Sequence, residues 1–249
     1  MAEPAAAPIT GLDTGLAAVL LRPLQGTNAF EATVEQLATA IRLGVFADGD
    51  RLPPERELAA SLGVSRATLR EAIAALRQAG LLITRTGRGG GTAVSTDGRD
   101  AASSQRRSNA KRHVEANLSR YRDALVVRRV IEPGAAFTAA NRDLNVTQRE
   151  WLRGALRTVN DASGDLPHRQ ADSRFHLAIA TLTGSERMLD LVTNVQRDLH
   201  DLLTAIPVLA VNIEHSNDEH TRIAEMQTFE FTKRCLGDGF VRVSGNGEE

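Results

Sequence analysis

Residues 44–94 read GVFADGDRLPPERELAASLGVSRATLREAIAALRQAGLLITRTGRGGGTAV. Behind Pro53-Pro54, which suit the approach to a helix and its first turn, Leu58, Ala59 and Leu62 fall at inward helical spacing and stop at Gly63. Glu55 and Glu57 are favourable near that helix's N-terminal dipole. Ser65 is a good N-cap for the next helix, in which Leu69, Ile73 and Leu76 make one apolar stripe that closes at Gly80. Helix, short glycine-containing turn and helix describe a helix-turn-helix, whose second member is available for a major groove. Leu81–Thr84 then reads as a short apolar strand, Arg85–Gly91 as a Gly/Arg turn and Thr92–Val94 as a return strand, which adds a two-stranded wing.

On the N-terminal side, Val34, Leu37, Ala38, Ile41 and Val45 predict an amphipathic helix over 32–44 that Gly44 can end. Residues 1–30 read as an arm with one short helix around Leu16–Leu21. On the C-terminal side, residues 97–114 are polar and basic and read as a linker. Beyond them the pattern is almost wholly helical, with helices expected over 115–141, 147–161, 166–183, 185–206 and 212–226. The stripe Leu189, Val192, Val195, Leu199, Leu202 illustrates the spacing. The predicted fold class is mainly α: an N-terminal winged helix-turn-helix domain over 31–96 and a C-terminal all-helical bundle over 115–226. Residues 227–249, with Gly237, Gly239, Gly245 and Gly247, read as an atypical tail.

With 249 residues, 42% of them hydrophobic, the chain can bury a sizeable core. It has no run of 18 apolar residues, and Leu16–Leu21 lacks a basic leader and a cleavage site, so neither secretion nor membrane spanning is expected. Cys235 is the single cysteine, which excludes an intrachain disulfide and fits a reducing cytoplasm. The net charge of −1 hides a basic segment. Between Arg56 and Arg99, arginines 56, 66, 70, 77, 85, 88 and 99 face only Glu57, Glu71 and Asp97. Lysine occurs only at Lys111 and Lys233, so the positive charge is nearly all arginine, which reflects either a genomic bias or a need for planar bidentate donors.

Over its whole length, the segment Gly44–Val94 resembles the winged-helix domain of GntR-family bacterial transcription regulators. The resemblance rests on GDRLPPERELA, GVSRATLRE and the GRGGGT wing, in order and at family spacing. It implies that Arg56, Arg66 and Arg70 contact double-stranded operator DNA, that Ser65 and Thr68 help hold phosphates or base edges, and that Gly87, Arg88 and Gly89 approach the minor groove. The residues agree on their own terms. Ser65, Arg66 and Thr68 fall at the start of the presumed recognition helix, where backbone N–H groups favour phosphate. Arg66 and Arg70 share a face from which an arginine can take guanine O6 and N7 together. For each arginine taken alone, the bland reading is a solvated or ion-paired surface residue.

Residues 118–226 are similar to the FCD effector domain of the FadR-type branch, through DALVVRRVIEPGAA, DSRFHLAIA and EHTRI. In such domains an Asp and three His hold a divalent metal inside the bundle, and a small carboxylate often binds beside it. Asp172 and His176 are i, i+4 on one helix, so both side chains can share an ion; Zn, Ni or Mn would suit them. By resemblance His220 supplies a third ligand. The fourth histidine is absent, since His220 is the last in the chain and Arg242 stands where the fourth would be sought. The alternative is that Asp172 pairs with Arg174 or Arg169 and that His176 is a satisfied core histidine. Arg128 would face the bundle interior and either bind an effector carboxylate or pair with Glu132 at i+4.

These readings lead to a cytoplasmic homodimeric transcription regulator, not an enzyme. It is expected to be a repressor released by a small organic acid. A constitutive DNA binder with a degenerate effector domain is the alternative. A metal-dependent hydrolase would need a nucleophile or general base near the metal, and no motif supplies one.

Overall fold

A computed structural model of the chain describes residues 11–21, 23, 28–85, 91–95, 103–205, 217–218 and 220–223. The wing residues Gly87, Arg88 and Gly89 and the tail 227–249 lie outside them. Helices α1 (Gly11–Leu20), α2 (Ala29–Arg42), α3 (Glu55–Leu62) and α4 (Arg66–Gln78) are followed by strands β1 (Leu82–Arg85) and β2 (Gly91–Val94). The second half comprises α5 (Ser103–Ala116), α6 (Leu118–Ala140), α7 (Val146–Asp161), α8 (Asp165–Leu182) and α9 (Glu186–Ala205). Among the described residues, no helix is long and apolar enough to cross a membrane.

The N-terminal unit is the expected winged helix-turn-helix. Leu58, Leu62, Leu69, Ile73 and Leu76 turn inward and are buried. Gly63 closes α3 in the left-handed region at φ 65°, a conformation glycine adopts without steric cost. Ser65 caps α4 by accepting from the Thr68 N–H at 3.0 Å. β1 and β2 pair antiparallel with Leu82 opposite Val94. The segment before α3 joins them through an Arg51–Ala93 bridge and the bond from Leu52 N–H to the Thr92 carbonyl, 2.9 Å. The base of the wing is thereby tied to the approach of α3.

The second unit is a helical bundle in which α8 is the central member, packed by α6, α7 and α9. Every residue of α8 from Phe175 to Ala180 is buried, five of the six apolar and the sixth His176, as suits a helical stretch enclosed on all sides. The stripe Leu189, Val192, Val195 and Leu199 on α9 is buried as expected.

The structure departs from the sequence reading in three places. The single long helix expected over 115–141 is two, broken at Asn117. Its N–H bonds the Val114 carbonyl and its side chain bonds the His113 carbonyl at 2.8 Å, closing α5. An asparagine that satisfies the preceding turn in this way competes with helix continuation. The stretch read as a linker over 97–114 carries most of α5, which packs on α9, with Val114 meeting Tyr121 and Ala205 in a small apolar cluster. The N-terminal arm does hold the expected short helix, α1, but it is no free arm: Leu16, Ala17 and Leu20 join the main core against α7 and α8.

A candidate metal centre and an exposed recognition helix

Three side chains converge inside the bundle. Asp172 and His176 lie one turn apart on α8, and His220 comes from the helical residues 220–223. His220 Nε2 is 3.1 Å from Asp172 Oδ1 and 3.2 Å from His176 Nε2, while His176 Nε2 is 4.0 Å from Asp172 Oδ2. Ligand atoms about 2.1 Å from a tetrahedral ion stand about 3.4 Å apart, and the observed separations bracket that spacing. His176 and His220 are buried and Asp172 is nearly so. No fourth histidine, cysteine or carboxylate joins them among the described residues.

The electrostatics favour the ligand-ready forms. Burial opposes the charge on Asp172, but the His220 hydrogen bond and the neighbouring His176, His220 and Arg128 outweigh it and bring its pKa down to about 2. Burial pushes His176 below the usual 6.5, against the opposing pull of Glu132 and Asp172. An ionised carboxylate and a neutral imidazole are what a cation requires. The three residues therefore fit a divalent ion as a three-ligand set with an open position, where a bound metal would supply Lewis acidity toward a carboxylate or water. The alternative partners are otherwise engaged: Arg169 lies 3.6 Å from Asp165, and Arg174 donates to the Gly44 carbonyl at 3.3 Å.

The depressed His176 pKa has a consequence for folding. Below pH 6.5 an unfolded chain gains a proton at this position that the native state resists, so the stability of the metal-free protein falls as the pH drops. Urea unfolding in chelator at pH 7.5 and 5.5 is expected to show this loss, and His176→Gln is expected to reduce it. A slope unchanged in His176→Gln would contradict the buried neutral imidazole.

Arg128 is half-buried, with its side chain 36% exposed, and its Nε bonds Glu132 Oε2 at 2.8 Å. Sequence reasoning treated Glu132 only as that partner. In the structure the same oxygen also lies 3.6 Å from His176 Nδ1. Gln196 was missed altogether, although a glutamine within the apolar stripe of α9 is the kind of local inconsistency that marks a buried polar contact. Of the other histidines, His168 sits 3.2 Å from Asn217 Oδ1.

On the N-terminal unit, Arg56, Ser65, Arg66 and Arg70 are exposed and Thr68 is half-buried. Ser65 Oγ and Thr68 Oγ1 are 2.8 Å apart, which shapes the first turn of α4. Arg70 Nε pairs with Glu55 Oε2 at 2.7 Å, linking α4 to α3. The Arg70 side chain is largely in solvent and that of Glu55 half-buried, and a pair so open to water contributes little.

Residues 30–93 match the family described as bacterial regulatory proteins, gntR family, and residues 123–227 match the FCD domain. The chain is 31% identical over 184 residues to RmpR of Mycobacterium gastri, assigned as an HTH-type transcriptional regulator; the alignment covers 72% of this chain and 64% of that one. It is 39% identical over 133 residues to the protein assigned as the L-lactate dehydrogenase operon regulator of Escherichia coli K12, covering 53% and 50%. It is 44% identical over 66 residues to the HTH-type transcriptional repressor NanR of Klebsiella aerogenes, covering 26% and 25%. The chain thus spans less than two thirds of the length of each of these relatives. It belongs to the gntR family of bacterial regulatory proteins and carries an FCD domain.

Proposed function

We propose that the chain is a ligand-responsive DNA-binding transcription regulator, a repressor released when a small organic acid binds in the helical unit. The observation that carries this reading is the exposed first turn of α4. Ser65 and Arg66 are exposed there, on the side of the helix-turn-helix turned away from the core. Phosphate would be held at the helix N-terminus with Ser65 and Thr68, and base edges would be read by Arg66 and Arg70 with Arg56 from α3. Gly87, Arg88 and Gly89 would enter the adjacent minor groove.

In the helical unit, Asp172, His176 and His220 would hold a Zn, Ni or Mn ion, and the effector carboxylate would take the open position with Arg128 nearby. The repressor name of one relative and the lactate-dehydrogenase operon in the name of another support the sign of regulation and the class of effector. A homodimer would present two recognition helices to a palindrome. The exposed apolar stripe Val126, Val130 and Phe137 on α6 offers a surface for a second copy. The proposed domain division keeps residues 31–96 as the reading head and residues 115–226, which include His220, as the sensor, and the site of action is the cytoplasm.

Selection of binding duplexes from a random pool should enrich a two-fold symmetric sequence. At fixed salt, Arg66→Ala is expected to weaken binding to that sequence by about 1–3 kcal/mol, and binding to unrelated duplex far less. Equal losses on both would remove Arg66 from base reading, and the absence of any enriched sequence would overturn the reading as a whole. A constitutive binder would show the same selection but no response to any small carboxylate.

A further inference from the structure

Behind the three converging ligands lies a polar network from two other helices. Glu132 of α6 is almost fully buried, with its side chain 11% exposed, and each of its oxygens is engaged. Oε1 accepts from Gln196 Nε2 of α9 at 2.7 Å. Oε2 accepts from Arg128 Nε at 2.8 Å and lies 3.6 Å from His176 Nδ1. Gln196 is itself fixed, because its Oε1 accepts from Ser173 Oγ at 3.0 Å, and Ser173 is the neighbour of Asp172. Gln196 and Ser173 are both buried. Three helices therefore hold one carboxylate against the far side of the His176 ring.

We infer that Glu132 is a positioning residue for the metal centre, acting through His176 and not as a ligand. The reasoning is geometric. Glu132 is outside the group of ligand atoms that lie within 4.8 Å of one another, and it faces the ring nitrogen that points away from His220 and Asp172. A carboxylate there favours the tautomer with its proton on Nδ1, which leaves the Nε2 lone pair directed at the ion position. It also fixes the ring rotation and makes Nε2 a stronger donor. Two histidine Nε2 atoms and a carboxylate oxygen crowd one point, and the network behind them holds one of those rings in register with it. Gln196 and Ser173 set the direction of the carboxylate, and Ser173 ties that direction to the backbone that carries Asp172.

The inference rests on the reading of Asp172, His176 and His220 as metal ligands, and the experiment separates the two. The full chain, stripped with chelator, is titrated with Co²⁺ against a competing chelator and followed by its d–d absorption. The metal-free forms are unfolded in urea alongside. Wild-type protein is expected to bind one Co²⁺. Glu132→Gln is expected to bind about 10–100-fold more weakly, with altered d–d bands and a metal-free urea midpoint close to that of wild type. A residue with only a structural role would lower the midpoint and leave affinity unchanged, and that result overturns the inference. If Glu132→Gln does not fold, Gln196→Met, which keeps the carboxylate but releases its orientation, is measured instead: weakened Co²⁺ binding supports the inference and unchanged binding overturns it. Failure of wild type to bind Co²⁺ overturns the metal reading and the inference together, whereas equal binding by wild type and Glu132→Gln overturns the inference alone.

Discussion

Phe175→Ala is expected to remove about 3–5 kcal/mol of stability, a large share of the roughly 5–15 kcal/mol that holds a typical domain folded. The ring is fully buried on α8, between Asp172 and His176 in sequence. Its centroid lies 4.9 Å from that of His220 and 5.8 Å from that of His176. Truncation leaves a cavity in the most tightly enclosed helix of the bundle and removes the wall against which both imidazoles rest. Two readouts should move together: the urea midpoint at constant m, and the affinity for a divalent ion. Phe175→Leu refills much of the volume and should lose less of each. A Phe175→Ala protein within about 1 kcal/mol of wild type would mean that the ring is not buried against His176 and His220 as described, because cavities of this kind cost more.

The sequence carries the helix-turn-helix so clearly because its punctuation is local. Gly44, Gly63 and Gly80 all have positive φ, at 73°, 65° and 70°, and Ser65 forms the cap its position suggests. Pattern and turn chemistry point to the same answer there. In the helical unit the i, i+4 relation of Asp172 and His176 is also local and legible. The arrival of His220 beside them is not, because it lies 44 residues later in the chain, and only family resemblance supplied it. Glu132 and Gln196 were harder still: each sits on a different helix, and their relation to His176 exists only after α6, α8 and α9 pack. Asn117 failed for the opposite reason. Its effect is local, but an exposed-looking asparagine in a long polar helix gives no periodicity signal. The buried role of α1 was hidden because its apolar run is short and its partners, α7 and α8, lie far along the chain.

Gly44→Ala is expected to destabilise the protein by about 2–5 kcal/mol, from two separable sources. At φ 73° an alanine pays roughly 1–2 kcal/mol for the left-handed conformation. In addition, a Cβ built there would stand 2.6 Å from Gln170 Cβ and 3.3 Å from its Cα, so relief requires movement of α8 and not of a flexible side-chain end; overpacking of this kind costs typically 1–3 kcal/mol. Gly49→Ala supplies the control, since its φ of 82° carries a similar conformational penalty and nothing lies within 4 Å of the added atom. The difference between the two variants, read from denaturant unfolding, isolates the contact between the end of α2 and α8. That contact matters because Gln170 Nε2 bonds the Ile41 carbonyl at 3.1 Å and Arg174 bonds the Gly44 carbonyl, both from α8. Residues 170 and 174 share one face of that helix, and 172 and 176 lie about 200° around it. The helix that carries Asp172 and His176 therefore also grips the last turn of α2, itself packed on α4. Equal losses in Gly44→Ala and Gly49→Ala would show that this grip is absent in solution; a loss at Gly44 larger by at least 1 kcal/mol would establish it as part of the folded structure.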